Sequence, residues 1–216
     1  MATKAEKKNQ LRKEIIAAAK EYSLHLAGKT FLYVYGNEFF EVTFPLDHFL
    51  HLTGVETKLD KKNFFIKAKK AQLTDRQFYF SSRYPYATAK KKLSALRRLP
   101  ELTTDMVCIL KDMRTQSVVY KLSVSNLEFT LGLTEDVDGH GKRRSELFLP
   151  MSLRVSDKSI EKSADGEIVD FIFSKSSSET MYNNLLVQDK NKKPIDAIKK
   201  MVCESLIKQL ETNKET

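Results

Sequence analysis

Residues 30–44 read TFLYVYGNEFFEVTF. Two runs of aromatic and β-branched residues flank the turn dipeptide Gly36-Asn37, which is the signal for a β-hairpin. On the N-terminal side, Leu11, Ile15, Ala18, Ala19, Tyr22 and Leu26 recur at helical spacing and Gly28 follows as a stop, so residues 3–27 should form a helix that docks one face on the body. On the C-terminal side, Pro45 should open a short helix that Gly54 ends. Asp60 is placed to cap a helix over 61–71, with Phe64, Phe65 and Ala68 on its apolar stripe, and 86–98 repeats the device with Ala89, Leu93 and Leu96.

After Pro100 the pattern changes to strands: MVCILKDM, SVVYKLSVS, LEFTLGLT, ELFLPMSLRV and GEIVDFIFSK. A last helix over roughly 194–211 should begin at Pro194. A helix-rich first half before a strand-rich second half predicts an α+β fold, with helices packed on a mainly antiparallel sheet. Three segments are expected: an N-terminal helix over 1–28, an α+β domain over 29–190, and a C-terminal helix and tail over 191–216.

The chain has 216 residues, 41% hydrophobic and 30% charged, enough to bury a sizeable core. It has no run of eighteen apolar residues and its N-terminus is charged and amphipathic, so neither a membrane span nor secretion is expected, and the cytoplasm is the expected compartment. Cys108 and Cys203, distant in sequence, read as buried free thiols. The net charge is +9, and residues 58–98 hold 13 Lys and Arg against only Asp60 and Asp75. That segment carries the whole positive excess. Such a field attracts polyanions, nucleic acid or an acidic protein surface, provided the basic residues form one exposed face. The residues expected to contact nucleic acid are Lys61, Lys62, Lys69, Lys70, Arg83, Lys90, Lys91, Lys92, Arg97, Arg98 and Arg144. Tyr79, Tyr84 and Tyr86 would offer ring faces for unpaired bases, or would pack the turn at Pro85.

Within FPLDHFLHLTG (44–54), Asp47 and His51 stand one helical turn apart with His48 beside them. Asp47 would hold one ring nitrogen of His51, leaving the other to exchange a proton near neutral pH. The alternative is structural: Asp47 caps the helix and the histidines form its polar edge. No metal is expected, because His48 and His51 offer two nitrogens from one helix face but the sequence places no third ligand. The acidic residues 135–138 lack the later glutamate of a calcium loop. No cofactor motif is present.

The aromatic hairpin running into FLHLTG, the lysine-rich helical stretch, the strand-rich half with LFLPMSLRV, and the later SSSETMYNNLL together resemble the phage-associated barnase–EndoU–colicin–RelE-like nucleases, the fourth PBECR subfamily in particular. The resemblance covers most of residues 30–187. It implies helices on a small antiparallel sheet that binds RNA and cleaves it without a metal. It points to His51, then Arg154 and Ser152, with Thr180 and Tyr182 from the hydroxyl-rich stretch. No histidine follows His140, which leaves the general acid open.

Cleaving RNA through its own 2′-hydroxyl requires a base for that proton, a cation for the phosphorane oxygens and an acid for the leaving 5′-oxygen. His51 suits the first or third role. Arg154 suits the second, because guanidinium grips two phosphate oxygens and keeps its charge, unless it is a strand-end arginine paired with Asp157 or Glu161. Ser152 or Tyr182 would donate to a non-bridging oxygen. The expectation is a metal-independent ribonuclease of a phage or mobile element, a toxin or host-takeover factor, binding RNA rather than DNA and no membrane, with an antitoxin or acidic protein as a further partner. The reading from another class is a non-catalytic basic protein docking on nucleic acid or on a nucleic-acid-binding partner, as a phage-encoded inhibitor would.

Overall fold

A computed structural model describes residues 3–82, 84–115, 118–156 and 165–212. Thr3 caps helix α1 (Lys4–His25) reciprocally with Glu6, the Glu6 amide donating to Thr3 Oγ1 at 3.2 Å and the Thr3 amide to Glu6 Oε2 at 2.7 Å. Gly28, at φ +76°, closes the connection to β1 (Lys29–Tyr35). β1 turns through Gly36-Asn37 into β2 (Glu38–Thr43), with Val34 opposite Phe39. The hairpin forms as its sequence requires.

Leu46–His48 then make a single 3-10 turn that continues into α2 (Phe49–Thr53), and Gly54 ends it in the left-handed region at φ +71°. A two-residue ribbon, β3 (Glu56–Thr57) with β4 (Phe78–Tyr79), brackets α3 (Lys61–Lys69), which Asp60 caps through the amides of Lys62 and Asn63. α4 (Tyr86–Arg97) and the short α5 (Glu101–Thr104) follow. Phe64, Phe65, Leu93 and Leu96 are buried, as their spacing requires. None of the described helices is long and apolar enough to cross a membrane.

The remaining strands are β5 (Cys108–Arg114), β6 (Val119–Ser125), β7 (Phe129–Val137), β8 (Arg143–Val155), β9 (Glu167–Ile168), β10 (Phe171–Ser176) and β11 (Asn184–Gln188). The described strands form a nine-stranded sheet in the order β11-β10-β1-β2-β8-β7-β6-β5-β9, antiparallel except where β2 meets β8. The fold is therefore α+β, as expected. Cys108 and Cys203 are free thiols, half-buried rather than buried as expected.

Two expected elements divide. GEIVDFIFSK becomes two strands at distant places in the sheet, β9 pairing with β5 and β10 with β1. Between them the Val169 amide donates to Val107 O at 2.9 Å and the Asp170 amide to Val34 O at 2.7 Å, so the sheet curls until its β9 edge returns to β1. Lys111 Nζ ties that closure, reaching Glu38 at 2.7 Å and Glu167 at 3.1 Å. The expected helix from Pro194 is also interrupted. A 3-10 turn at Asp196–Ile198 is followed by a bridge of Val202 to Tyr182, and α6 spans only Glu204–Thr212.

β1 separates two cores. Phe31, Tyr33 and Tyr35 join the helices α1 to α4, while Leu32 and Val34 join Phe171, Phe173, Ile207 and Leu210. Phe49 belongs to the first core, its ring 5.3 Å from Tyr22 and 5.1 Å from Phe65, both edge-on. Phe49→Ala is expected to lower unfolding free energy by about 3–5 kcal/mol, whereas Leu24→Ala, 68% exposed on α1, should stay within about 0.5 kcal/mol. Urea denaturation of the two variants measures both.

Candidate active site

α2 is held from behind. Tyr22 donates its hydroxyl to Pro45 O at 2.9 Å, and Phe49 and Leu52 fill the core beneath. With that side buried, His48 and His51, themselves three apart, leave on the opposite side toward β8. β2 pairs with β8 only at Val42 and Phe148, so beyond that point β8 runs free of β2 and meets α2 and α4. The gap at this junction is a cleft of about 640 Å³, lined by His48, His51, Lys92, Tyr120, Ser152 and Arg154 among others. Four residues named from sequence as catalytic thus converge from two distant segments.

The histidines are oriented differently. His48 Nδ1 lies 2.8 Å from Pro150 O, and because a carbonyl only accepts, that nitrogen carries the proton and Nε2 is left for chemistry. Lys61 Nζ donates to His51 Nε2 at 3.1 Å, which makes that nitrogen a lone-pair acceptor. The rings stand 5.9 Å apart at 64°. Desolvation, then the charge of Lys61, then His48, pull the His51 pKa below its ordinary 6.5, Lys92 adding to the pull and Asp47 opposing it. His51 is therefore a neutral base at neutral pH.

Two cations face them. Arg154 donates from Nη2 to the Tyr120 hydroxyl at 3.2 Å, its guanidinium carbon 5.8 Å from the centre of the Tyr120 ring. Gly132, paired with Ser152, makes room for this ring: a Cβ there would lie 2.7 Å from it. Lys92 is pushed down to about 8 by burial and then by the charge of Arg154. Its aliphatic stem crosses Gly54, where a Cβ would come within 2.9 Å of Lys92 Cδ and 3.3 Å of Ala89 Cα. The glycine of FLHLTG thus serves two needs, a left-handed helix end and the close passage of α4.

The other expected residues lie elsewhere. Asp47 is exposed, touches His51 only through its charge, and hydrogen-bonds to neither ring among the described residues. Tyr182 is buried in the second core and donates its hydroxyl to Glu41, and Lys175, 4.4 Å above its ring, bonds Thr180 O at 3.1 Å. Neither Thr180 nor Tyr182 lines the cleft. Arg144 is held by Asp136 at 2.7 Å. Arg83, Asp157 and Glu161 lie outside the described residues.

The basic residues differ in their partners. Lys61 and Lys92 turn to the histidines, while Arg97 meets Glu14 at 3.3 Å and Arg98 is gripped by Glu101 and Glu128. Lys90 lines the same groove as Arg97, with Glu14 and Glu21 from α1. Lys62, Lys69, Lys70 and Lys91 remain exposed. Carboxylates from remote segments explain the difference, since their positions depend on tertiary packing. Sequence reasoning missed Tyr120 and Gly132, whose roles exist only once β6, β7 and β8 are in register. Among the described residues no three His, Cys, Asp or Glu side chains gather as a metal-holding group.

Gly54→Ala is expected to cost roughly 1–3 kcal/mol from the left-handed backbone alone and to displace Lys92. Gly139→Ala, where an added Cβ meets nothing within 4 Å, should be nearly neutral. Chemical denaturation of the pair measures the difference.

A family model described as phage-Barnase-EndoU-ColicinE5/D-RelE like nuclease4 matches residues 14–214. No curated protein and no solved structure matches the chain.

Proposed function

The chain belongs to this fourth family of phage-barnase–EndoU–colicin–RelE-like nucleases, and from that premise we propose that it cleaves RNA, using the 2′-hydroxyl as nucleophile and no metal ion. A nuclease family implies a nucleic-acid substrate. The observation that carries the finer reading is the facing of two imidazoles and two cations across one cleft.

His51, kept neutral by partial desolvation at the cleft wall and by Lys61, takes the proton of the 2′-hydroxyl as its oxygen attacks phosphorus. His48 keeps its Nδ1 proton on the Pro150 carbonyl in either charge state, so in its protonated form Nε2 delivers the second proton to the departing 5′-oxygen. Arg154 and Lys92 offset the charge that builds on the non-bridging oxygens, and the Ser152 hydroxyl donates there as well. This assigns the general acid to the histidine three residues before the base. Binding of the phosphate would draw Lys61 off His51 Nε2 and free the lone pair. In a phage or mobile element such cleavage would act as a toxin or in host takeover, and an acidic antitoxin would fit the same cationic cleft.

Purified protein is expected to cut total RNA in the presence of EDTA and to leave 2′,3′-cyclic phosphate ends. Activity lost in EDTA and restored by magnesium or zinc would overturn the metal-free mechanism. Tight, salt-sensitive RNA binding without cleavage would favour the non-catalytic reading instead.

His51→Ala should lower the rate by about 10²–10⁴-fold with little change in Tm, because the ring sits at the exposed mouth of the cleft. A base works only when deprotonated, so the acid limb of kcat/KM should fall below pH 6.5. Lys61→Ala removes a positive charge that opposes protonation, and should move that limb upward. A pH–rate profile for the two proteins reads the shift.

A further inference from the structure

We propose that a second, smaller cavity beside His51 seats the nucleobase on the 5′ side of the scissile phosphate, and that Glu56 makes this base guanine. The inference rests on the cleavage reading for its substrate class. The cavity, of about 260 Å³, is lined by His51, Gly54, Glu56, Tyr79 and Tyr84 among others. His51 and Tyr84 also line the larger cleft, so one nucleotide can span the two. If His51 takes the 2′-proton, that ribose lies at the shared wall, and its base must enter the adjoining cavity. The volume falls below the ~300–1,000 Å³ typical of pockets for larger ligands, and suits one flat ring system.

The chemistry of the lining selects among bases. Glu56 and Tyr79 are directly opposed in the β3–β4 ribbon, so their side chains leave the same face, roughly 5 Å apart at Cβ. Tyr79 is 40% exposed, a free ring face for stacking. A base stacked on that ring presents its edge to the neighbouring carboxylate. Tyr86 is occupied otherwise, donating its hydroxyl to Gln10 beneath Lys7.

Glu56 differs from the nearby acids. Asp60 caps α3 and Asp75 pairs with Arg12 at 2.8 Å, but among the described residues no hydrogen bond or ion pair holds the Glu56 carboxylate. An unoccupied carboxylate beside a phosphate cleft repels the substrate unless the substrate itself brings donors. Guanine presents two adjacent N–H groups, at N1 and N2, matching the two carboxylate oxygens. Adenine and cytosine present one amino group beside an acceptor nitrogen, and uracil one N–H between two carbonyls, so each sets a lone pair against the carboxylate.

Calorimetric titration with 3′-GMP, 3′-AMP, 3′-CMP and 3′-UMP tests the assignment without requiring turnover. The wild-type protein should bind 3′-GMP at least about 10-fold more tightly, the ~1.4 kcal/mol of one good discriminating contact. Glu56→Gln should erase the preference, Tyr79→Ala should weaken all four nucleotides, and Tyr79→Phe should restore them. Equal affinities in the wild type, or a guanine preference that survives Glu56→Gln, would overturn the proposal. The cleavage reading is tested separately by mapping cut sites in a mixed RNA. Cutting after every base, with 3′-nucleotides bound alike, overturns the guanine seat and leaves the nuclease reading standing. A Glu56-dependent guanine preference without cleavage supports the seat and overturns the reaction.

Discussion

Strand β1 has no side that faces water, and the rest of the molecule is arranged around that constraint. Phe31, Tyr33 and Tyr35 on one side demand cover from α1 to α4, and Leu32 and Val34 on the other, with Phe171 and Phe173 of the neighbouring β10, demand cover from the C-terminal segment that carries Ile198, Val202 and α6. Each such side chain contributes about 1.5–3 kcal/mol when its apolar surface leaves water, so neither layer can be lost cheaply. The same demand carries the chain across the curled sheet between β9 and β10, where the Asp170 amide bonds back to β1. It also fixes where β2 ends. Tyr22 and Phe65 hold Phe49 there, and α2 departs with its histidines toward β8.

The cleft gains its chemistry from imperfect partnership. Desolvation, helped by Lys61, His48 and Lys92 at His51 and by Arg154 at Lys92, lowers the pKa values of both groups. Positive groups gathered at one cleft favour an anion, and a phosphate placed among them offsets their mutual repulsion. Arg97, Arg98 and Arg144 lie outside that cleft and pair with Glu14, Glu101 and Asp136.

Much of this was legible in the sequence where the cause is local. The hairpin at Gly36-Asn37, the Asp60 cap and the helical stripes of Phe64 and Leu93 follow from short-range periodicity and turn chemistry, and FPLDHFLHLTG marks the histidines. Convergence of His51 with Ser152 and Arg154 came from family resemblance, since no spacing in the chain reveals that β8 parts from β2. Tyr182 was misplaced because its position depends on which face of β1 the C-terminal segment covers. Val169-Asp170 reads as the middle of one strand because apolar residues, Ile168 before it and Phe171 to Phe173 after it, continue the run on both sides. Only the curl of the sheet, a property of all its strands, shows that the run must serve two edges. Tyr120 and Gly132 gave no signal, as their roles consist of cross-strand register.

The central claim, that phosphate is handled between α2 and β8, is tested most directly by NMR of the histidine rings as an RNA oligonucleotide blocked by 2′-fluoro substitution is added. The account predicts that the His48 and His51 resonances move together at saturation, and that the His51 titration midpoint rises as phosphate charge replaces Lys61 at Nε2. Saturable binding that leaves both rings unmoved, while resonances around Lys90 and Arg97 shift, would contradict it.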